Sequence, residues 1–476
     1  MRSRRQPRRH FLRALGAVTG ASLVRCTPGN GSTGPANETE GGPGDVIDEA
    51  AANGTNTPVV VRGDVVGSGA GALDSYRNAV EAMRALPASN PRSWQAQAQI
   101  HLDHCPHGNA FFLPWHRAYL RYFEQVCREM SGDTGFALPY WNWTTQATIP
   151  APLWEGTLDD ATRVVGRSGQ MPASAVGQPV IDGILATPDF ETFGSSFVPS
   201  SCTTNCQRAS EGYGGLEGTP HNIVHGTIGG DMGTYLSPLD PIFWLHHCNV
   251  DRLWMEWNKT FANPGNAFWR SFTFDQNFVD GQGSSVPSVP VDSLFDTLTL
   301  GYRYDTQPAA VVEGLAPVPK TANVVASVEV ENTETAVMGE VLTIPLALTP
   351  EVRARLRPAP EAIRPATTVR LSLGGLATPA QPVSVNVFLG GPEAPTSIDS
   401  PNFVRSIGFF PATAAEDTHG HEKRFLLDVG AQAGRLGTGG PLQVHLQSVP
   451  MRPGPEAVGA AGVTPSSVRI EIIEHS

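Results

Sequence analysis

Lysine is nearly missing from this 476-residue chain: Lys259, Lys320 and Lys423 are the three among 33 basic residues, and arginine supplies the rest. Basic charge as a whole is scarce. Residues 1–26 carry seven arginines and no acid, so the remainder sets 26 basic residues against 45 acidic ones, a balance near −19. Such a chain lacks the basic face that nucleic acid requires, which excludes nucleic acid as a partner. Cysteine is sparse as well, at six. Cys202 and Cys206 are spaced for a local disulfide in an exported protein, whereas a zinc site there would lack two further ligands. Cys127 and Cys248 fall on helical stretches and read as buried thiols. The apolar run from Ala14 to Val24 is too short to span a bilayer as a stable helix.

Histidine is what the chain concentrates. Of 13 histidines, eight fall in two regions: His101, His104, His107 and His116 in one, His221, His225, His246 and His247 in the other. Several sit in apolar runs, where an unpaired imidazole would be costly. A shared metal accounts for all of them at once. In the first region Pro114 marks the opening turn of a helix, on which His116, Leu120, Phe123 and Cys127 share one inward face. In the second, His221 and His225 stand one helical turn apart, the spacing by which one helix offers two imidazoles to one ion. Asp240-Pro241 then opens a helix that carries His246 and His247. Adjacent residues on a helix point about 100° apart, so those two are not expected to ligate one ion together. Neither set shows a carboxylate ligand, which disfavours an iron oxygenase site or a di-zinc hydrolase and suits copper.

Read together, Cys105-Pro-His107 with His116 before Arg117, His221-Asn-Ile-Val-His225, and Asp240-Pro-Ile-Phe-Trp-Leu-His246-His247 with Asn249-Val-Asp251-Arg-Leu-Trp254 resemble the tyrosinase, catechol oxidase and haemocyanin family of coupled binuclear copper proteins. The resemblance implies two copper ions as cofactors. One would be held by His101, His107 and His116, with His104 as a competitor for the first place; the other by His221, His225 and His247. It also implies a thioether between Cys105 and His107, the alternative being a buried thiol. Glu217 and Asn222 match the positions that in relatives hold the water needed to deprotonate a monophenol; Glu217 also reads as an acid favoured at a helix start. Asp251, one turn beyond His247, has two readings: an acceptor for the second ring nitrogen of His247, or an ion-pair partner for a nearby arginine. Tyr235 is expected as a gate over the site.

The organisation follows from texture. Residues 1–26, with Arg8-Arg9-His-Phe11-Leu12-Arg13 ahead of the apolar run, resemble a twin-arginine export signal, and Cys26 is the candidate for a lipid anchor. That implies a periplasmic or extracellular protein, with copper loaded before or around export, and leaves a copper chaperone open as a partner. Residues 27–57 read as a flexible tether, 58–310 as a mainly α-helical bundle holding the dicopper site, 311–322 as a linker, and 323–476 as an all-β sandwich. The segment Asp296 to Asp305, with Tyr302 and Tyr304, is similar to the bridge between these parts in plant-type polyphenol oxidases, where the sandwich covers the copper site and keeps the enzyme latent. Phe403, Phe409 and Phe410 lie in a loop-like stretch and are the aromatics expected to plug the site, if they are not sandwich core. The implied function is oxidation of o-diphenols to o-quinones with dioxygen, with o-hydroxylation of monophenols open. A haemocyanin-like oxygen carrier is the alternative.

Overall fold

The computed structural model describes residues 59–307, 321–356, 366–395, 397–417, 422–436, 441–452 and 461–476. The expected export signal, Cys26, the tether and most of the linker lie outside them. Among the described residues no helix is long and apolar enough to cross a membrane.

The helical part is built on five helices. Helix α1 (Leu73–Arg84) buries Leu73, Tyr76, Val80 and Met83, the stripe that the three-and-four spacing lays on one face. Helix α2 (Trp94–His104) starts where the Ser93 hydroxyl accepts the N–H of Ala96 at 3.1 Å. Helix α3 (Phe112–Ser131) ends at Gly132, whose φ of +76° only glycine adopts without strain. A π-helical turn, Glu217–His221, leads into α4 (Asn222–Ile228), and α5 (Ile242–Asn258) begins where Asp240 accepts the N–H of Ile242 at 3.0 Å. Tyr119 of α3 packs on Trp244 of α5 with ring centroids 4.7 Å apart. Each such fully buried aromatic contributes about 1.5–3 kcal/mol. Between α3 and α4 the chain runs through turns and short helices, of which Gln178–Leu185 is the longest.

A buried ion network closes the helical part. Strand β1 (Val60–Arg62) pairs in parallel with β2 (Tyr302–Tyr304), which brings both ends of the helical region together. Arg62 reaches Glu124 on α3 at 3.0 Å and Asp251 on α5 at 3.4 Å, and its guanidinium lies 3.6 Å from the centre of the Tyr302 ring. Two cations outweigh burial at Asp251: burial pushes its carboxyl up, but Arg117 and Arg62 hold it below the ordinary range.

Eight further strands form two four-stranded antiparallel sheets. They are β3 (Ala322–Glu331), β4 (Val341–Leu346), β5 (Ala366–Leu376), β6 (Val383–Gly390), β7 (Phe403–Gly408), β8 (Lys423–Asp428), β9 (Leu442–Pro450) and β10 (Ser467–His475). One sheet runs β8-β5-β10-β3 and the other β4-β9-β6-β7. Val468 and Ile470 of the first and Val385, Val387, Val444 and Leu446 of the second share one core, as alternation along strands requires. β7 corrects the loop-like reading of its region: Phe403 opens the strand and packs on Phe388, while Phe409, just past its end, lies against Phe425 in the sandwich core. The short run Phe403–Gly408 carries Arg405 and Ser406 in its middle, which hides its period.

The sandwich lies directly against the helical part. Tyr213 donates its N–H to Arg424 and accepts the N–H of Leu426, both at 2.8 Å, and so extends the β8 edge. β7 approaches α4 so closely that a Cβ on Gly408 would stand 2.7 Å from the Ile223 side chain. Ionic contacts add to this: Arg370 on β5 reaches Asp189 at 3.3 Å and Glu191 at 3.5 Å, as well as Glu471 on β10 at 2.8 Å.

Candidate metal centre

Two histidine groups meet between α2, α3, α4 and α5. His101, His107 and His116 form one, and His221, His225, His246 and His247 the other, with the ligand atoms of each group within 4.8 Å of one another. The groups adjoin: the His116 and His247 rings stack at 4.3 Å, and those of His107 and His221 lie 5.5 Å apart. All seven rings are buried. His104, at the end of α2, is only partly buried and belongs to neither group.

Hydrogen bonds decide which ring nitrogen carries each proton. His101 donates from Nδ1 to the Tyr235 carbonyl at 2.7 Å, His116 to that of Phe112 at 2.8 Å, and His225 to that of Met232 at 2.6 Å. A carbonyl oxygen can only accept, so in the neutral rings Nε2 is a bare lone pair. His107 Nδ1 reaches the Glu217 carboxylate at 3.1 Å, and His221 Nδ1 reaches Asn222 Oδ1 at 2.8 Å. Burial holds the rings well below the ordinary histidine range, to about 3 for His101 and His225. They therefore stay neutral at physiological pH.

Bare nitrogens facing each other test the fit to a metal. Nε2 of His101 and of His116 lie 3.4 Å apart, and those of His225 and His247 lie 3.3 Å apart. Without a cation the His101 and His116 lone pairs repel; two imidazoles sharing a first-row ion in tetrahedral fashion place their nitrogens about 3.3 Å apart, the spacing of both pairs. Nε2 of His107 and of His221 is buried without a partner. The residues present fit two ions, three imidazoles to each.

His246 is the seventh ring and differs in its proton. Trp143 donates its indole N–H to His246 Nδ1 at 2.9 Å. An indole is a donor only, so Nδ1 is the bare nitrogen and the proton sits on Nε2. His246 is thereby disqualified as an Nε2 ligand, and His247 remains. Helical angle keeps the two from sharing one ion and the family resemblance selects His247; no local pattern ties Trp143, in the Trp141-Asn-Trp143 stretch, to either.

Of the two readings of Asp251, the ion pair with arginine is the one observed. Asp251 is not an acceptor for His247, because its oxygens are engaged by Arg117, Arg62, Tyr302 and Tyr304. His247 Nδ1 is buried without a partner, and packing orients its ring instead, between His116 and Phe243 at 4.3 Å each. Glu217 does support a ligand. One of its oxygens takes the His107 Nδ1–H and the Gly108 N–H, the latter at 2.9 Å, and the other takes the Ser195 hydroxyl. Burial pushes its carboxyl up to about 8, against the pull of Ser195, Gly108 and Lys423. Ser195 had no signal in the sequence.

The second part of the chain fills the space above the histidines. The Phe410 ring stands 4.4 Å from His107, 4.7 Å from His225 and 5.7 Å from His221, and is fully buried. Tyr235 closes on it edge-on at 5.4 Å. Asn222, beside His221, donates its amide to the Gly408 carbonyl at 2.9 Å. Cys105 is a buried thiol, and it and His107 border one small cavity; burial raises the thiol far above its usual range. Cys202 and Cys206 form a disulfide.

Comparison with known proteins locates the site within a known domain. The common central domain of tyrosinase matches residues 82–206 and 168–260. A tyrosinase from Hahella is 27% identical over 435 residues, covering 76% of this chain and 89% of that one. A chloroplastic polyphenol oxidase from Malus domestica is 30% identical over 272 residues, 48% of this chain and 46% of that protein, so the match spans about half the plant relative. The structure of a latent apple tyrosinase superposes with a TM-score of 0.61 over 88% of this chain and 97% of that one; at 19% identity this speaks to the fold.

Proposed function

The chain is a member of the tyrosinase family, which binds two copper ions, and from that premise we propose that it oxidises o-diphenols to o-quinones with dioxygen. The observation that carries this reading is the pair of three-histidine sets whose bare nitrogens converge beneath Phe410. His101, His107 and His116 would hold one copper, and His221, His225 and His247 the other. When bound, the pair supplies two electrons to dioxygen at once, and the diphenol returns them.

The chain's own residues do the rest. Carbonyls of Tyr235, Phe112 and Met232 keep protons off the ligating nitrogens. Phe112 and Phe243 wall the site and exclude water. Glu217 holds His107 in its ligating tautomer, and Asn222 does the same for His221. The same two residues are the groups a monophenol would need to lose its proton, so o-hydroxylation stands as the finer part of the proposal. It is read by comparing tyramine with dopamine as substrates. A thioether between Cys105 and His107 belongs to it too, and a peptide lighter by two hydrogens is its signature. Export through the twin-arginine route is the reading of residues 1–26, and a lipid anchor at Cys26 is the minority branch of it, since Arg25 stands where a small residue is expected.

Phe410 holds the place a phenol ring would take, so the covered chain is latent in this reading. Oxygen uptake on catechol by the copper-loaded full-length chain is expected to rise at least tenfold in Phe410→Ala, and similarly after limited proteolysis. Two bound coppers that take up oxygen reversibly, with no catechol turnover in any form, would replace the oxidase with an oxygen carrier.

A further inference from the structure

The small cavity beside His107 carries charge of one sign on its walls. Cys105, His107, Arg208 and Tyr235 line it from the helical part, and Lys423 closes it from β8. Lys423 is paired with Asp417 at 3.0 Å, and both belong to the sandwich, so that pair leaves as a unit when the cover moves. Arg208 stays with the helical part. It ends the short turn Cys206–Arg208, two residues beyond the Cys202–Cys206 disulfide. Its guanidinium is oriented by the carbonyls of Asp103 at 2.9 Å and Leu102 at 3.3 Å.

The covering segment shows what shape of ligand suits this mouth. Phe410 lays an aromatic ring among the histidines, and Asp417, seven residues on, brings a carboxylate to the cavity through its pairing with Lys423 at 3.0 Å. The acid of the cover thus meets a cation of the same cavity wall that Arg208 lines. Ring over the metals and carboxylate at the rim is the layout of an aromatic acid. Arginine presents the planar fork that matches a carboxylate.

We propose that Arg208 determines specificity: it binds the carboxylate of phenolic acids whose ring lies over the histidines, so the uncovered enzyme selects phenols with an acidic side chain over neutral ones. The turnover part rests on the oxidase reading; the binding part does not. The test therefore uses ligands without a phenol. Copper-loaded, full-length Phe410→Ala protein is titrated calorimetrically with 3-phenylpropionate and with 3-phenylpropionamide. The acid is expected to bind about tenfold tighter than the amide. In the added Arg208→Gln variant that ratio falls to about one, and Arg208→Lys keeps part of it. A merely structural role for Arg208 would weaken both ligands together and leave the ratio intact, which would overturn the assignment. So would a ratio near one in the parent, or no measurable binding of the acid. If Phe410→Ala fails to fold, the native full-length chain after limited proteolysis replaces it in the same titrations. Oxygen uptake on plain catechol by these preparations reads the oxidase proposal separately. No uptake with the ratio intact would retire the oxidase and leave the carboxylate site standing.

Discussion

At His246 and His247, neighbours in the chain with the same side chain, the difference in role comes down to one proton. Trp143 can only donate, so it leaves the His246 proton on Nε2, the atom that would otherwise ligate. The His247 ring has no such donor and is placed by stacking on His116 and Phe243. Trp143→Phe removes the indole N–H and strands His246 Nδ1 in the interior. The copper-free variant is expected to lose about 1–3 kcal/mol in urea denaturation. In 15N spectra of histidine-labelled protein, His246 should change from the pure Nε2–H tautomer to a mixture. An unchanged tautomer would show that something other than Trp143 sets it. Asp251 makes the complementary point. One helical turn places it near His247 in sequence, but two arginines outbid a neutral ring for a buried carboxylate.

Among the elements, those with long periodic patterns were legible and those cut by polar residues were not. Helix α1 and the strands β3, β4, β5, β6, β8, β9 and β10 follow from spacing and alternation. β7 does not, because it packs against another part of the chain as well as its own sheet: Arg405 reaches Gly215 and Gly408 lies against Ile223 of α4, while Ser406 bonds Asn386 of β6, so polar and small residues interrupt the apolar alternation. The element that carries Phe410 over the site is thus the one whose sequence says least. The seam beside it holds a testable contact. Arg370 on β5 neutralises Asp189 and Glu191 across the seam and Glu471 within the sandwich. While Glu471 keeps Arg469 at 3.6 Å, Arg370→Ala leaves Asp189 and Glu191 uncompensated across the seam, at a cost of about 3 kcal/mol. Oxygen uptake on catechol by the full-length variant is expected to rise without proteolysis, and a variant as silent as the parent would show that β7 and the Tyr213 pairing hold the cover unaided.

For the molecule as a whole, the histidine centre makes stability depend on pH before copper is bound. His101 and His225 are neutral in the fold down to about pH 3, whereas in the unfolded chain a histidine takes a proton near 6.5. Between those values the unfolded state binds more protons, so the stabilisation is complete above about pH 6.5 and is lost as pH falls toward 3. At pH 5 each of these two rings costs about 2 kcal/mol. His107, His116, His221 and His247 are shifted in the same direction. The urea midpoint of the copper-free protein should therefore drop between pH 7 and pH 5. A midpoint that does not move would mean that the rings take up protons inside the folded state.

What the sequence by itself determined is the chemistry: which imidazoles are available, that they come in two sets, and that a helical part precedes a sandwich. Those properties are local, since four residues make one helical turn and two make one strand repeat, whatever lies around them. Only the tertiary structure decided which nitrogen is bare in the rings other than His247, that Trp143 sets His246 aside, and that Asp251 serves arginines. It also chose Phe410 from three phenylalanines, because Phe403 and Phe409 find partners within the sandwich while Phe410 lies past the end of β7, over the histidines. Each of these depends on a donor, an acceptor or a ring brought from a distant part of the chain, and no local pattern encodes that meeting.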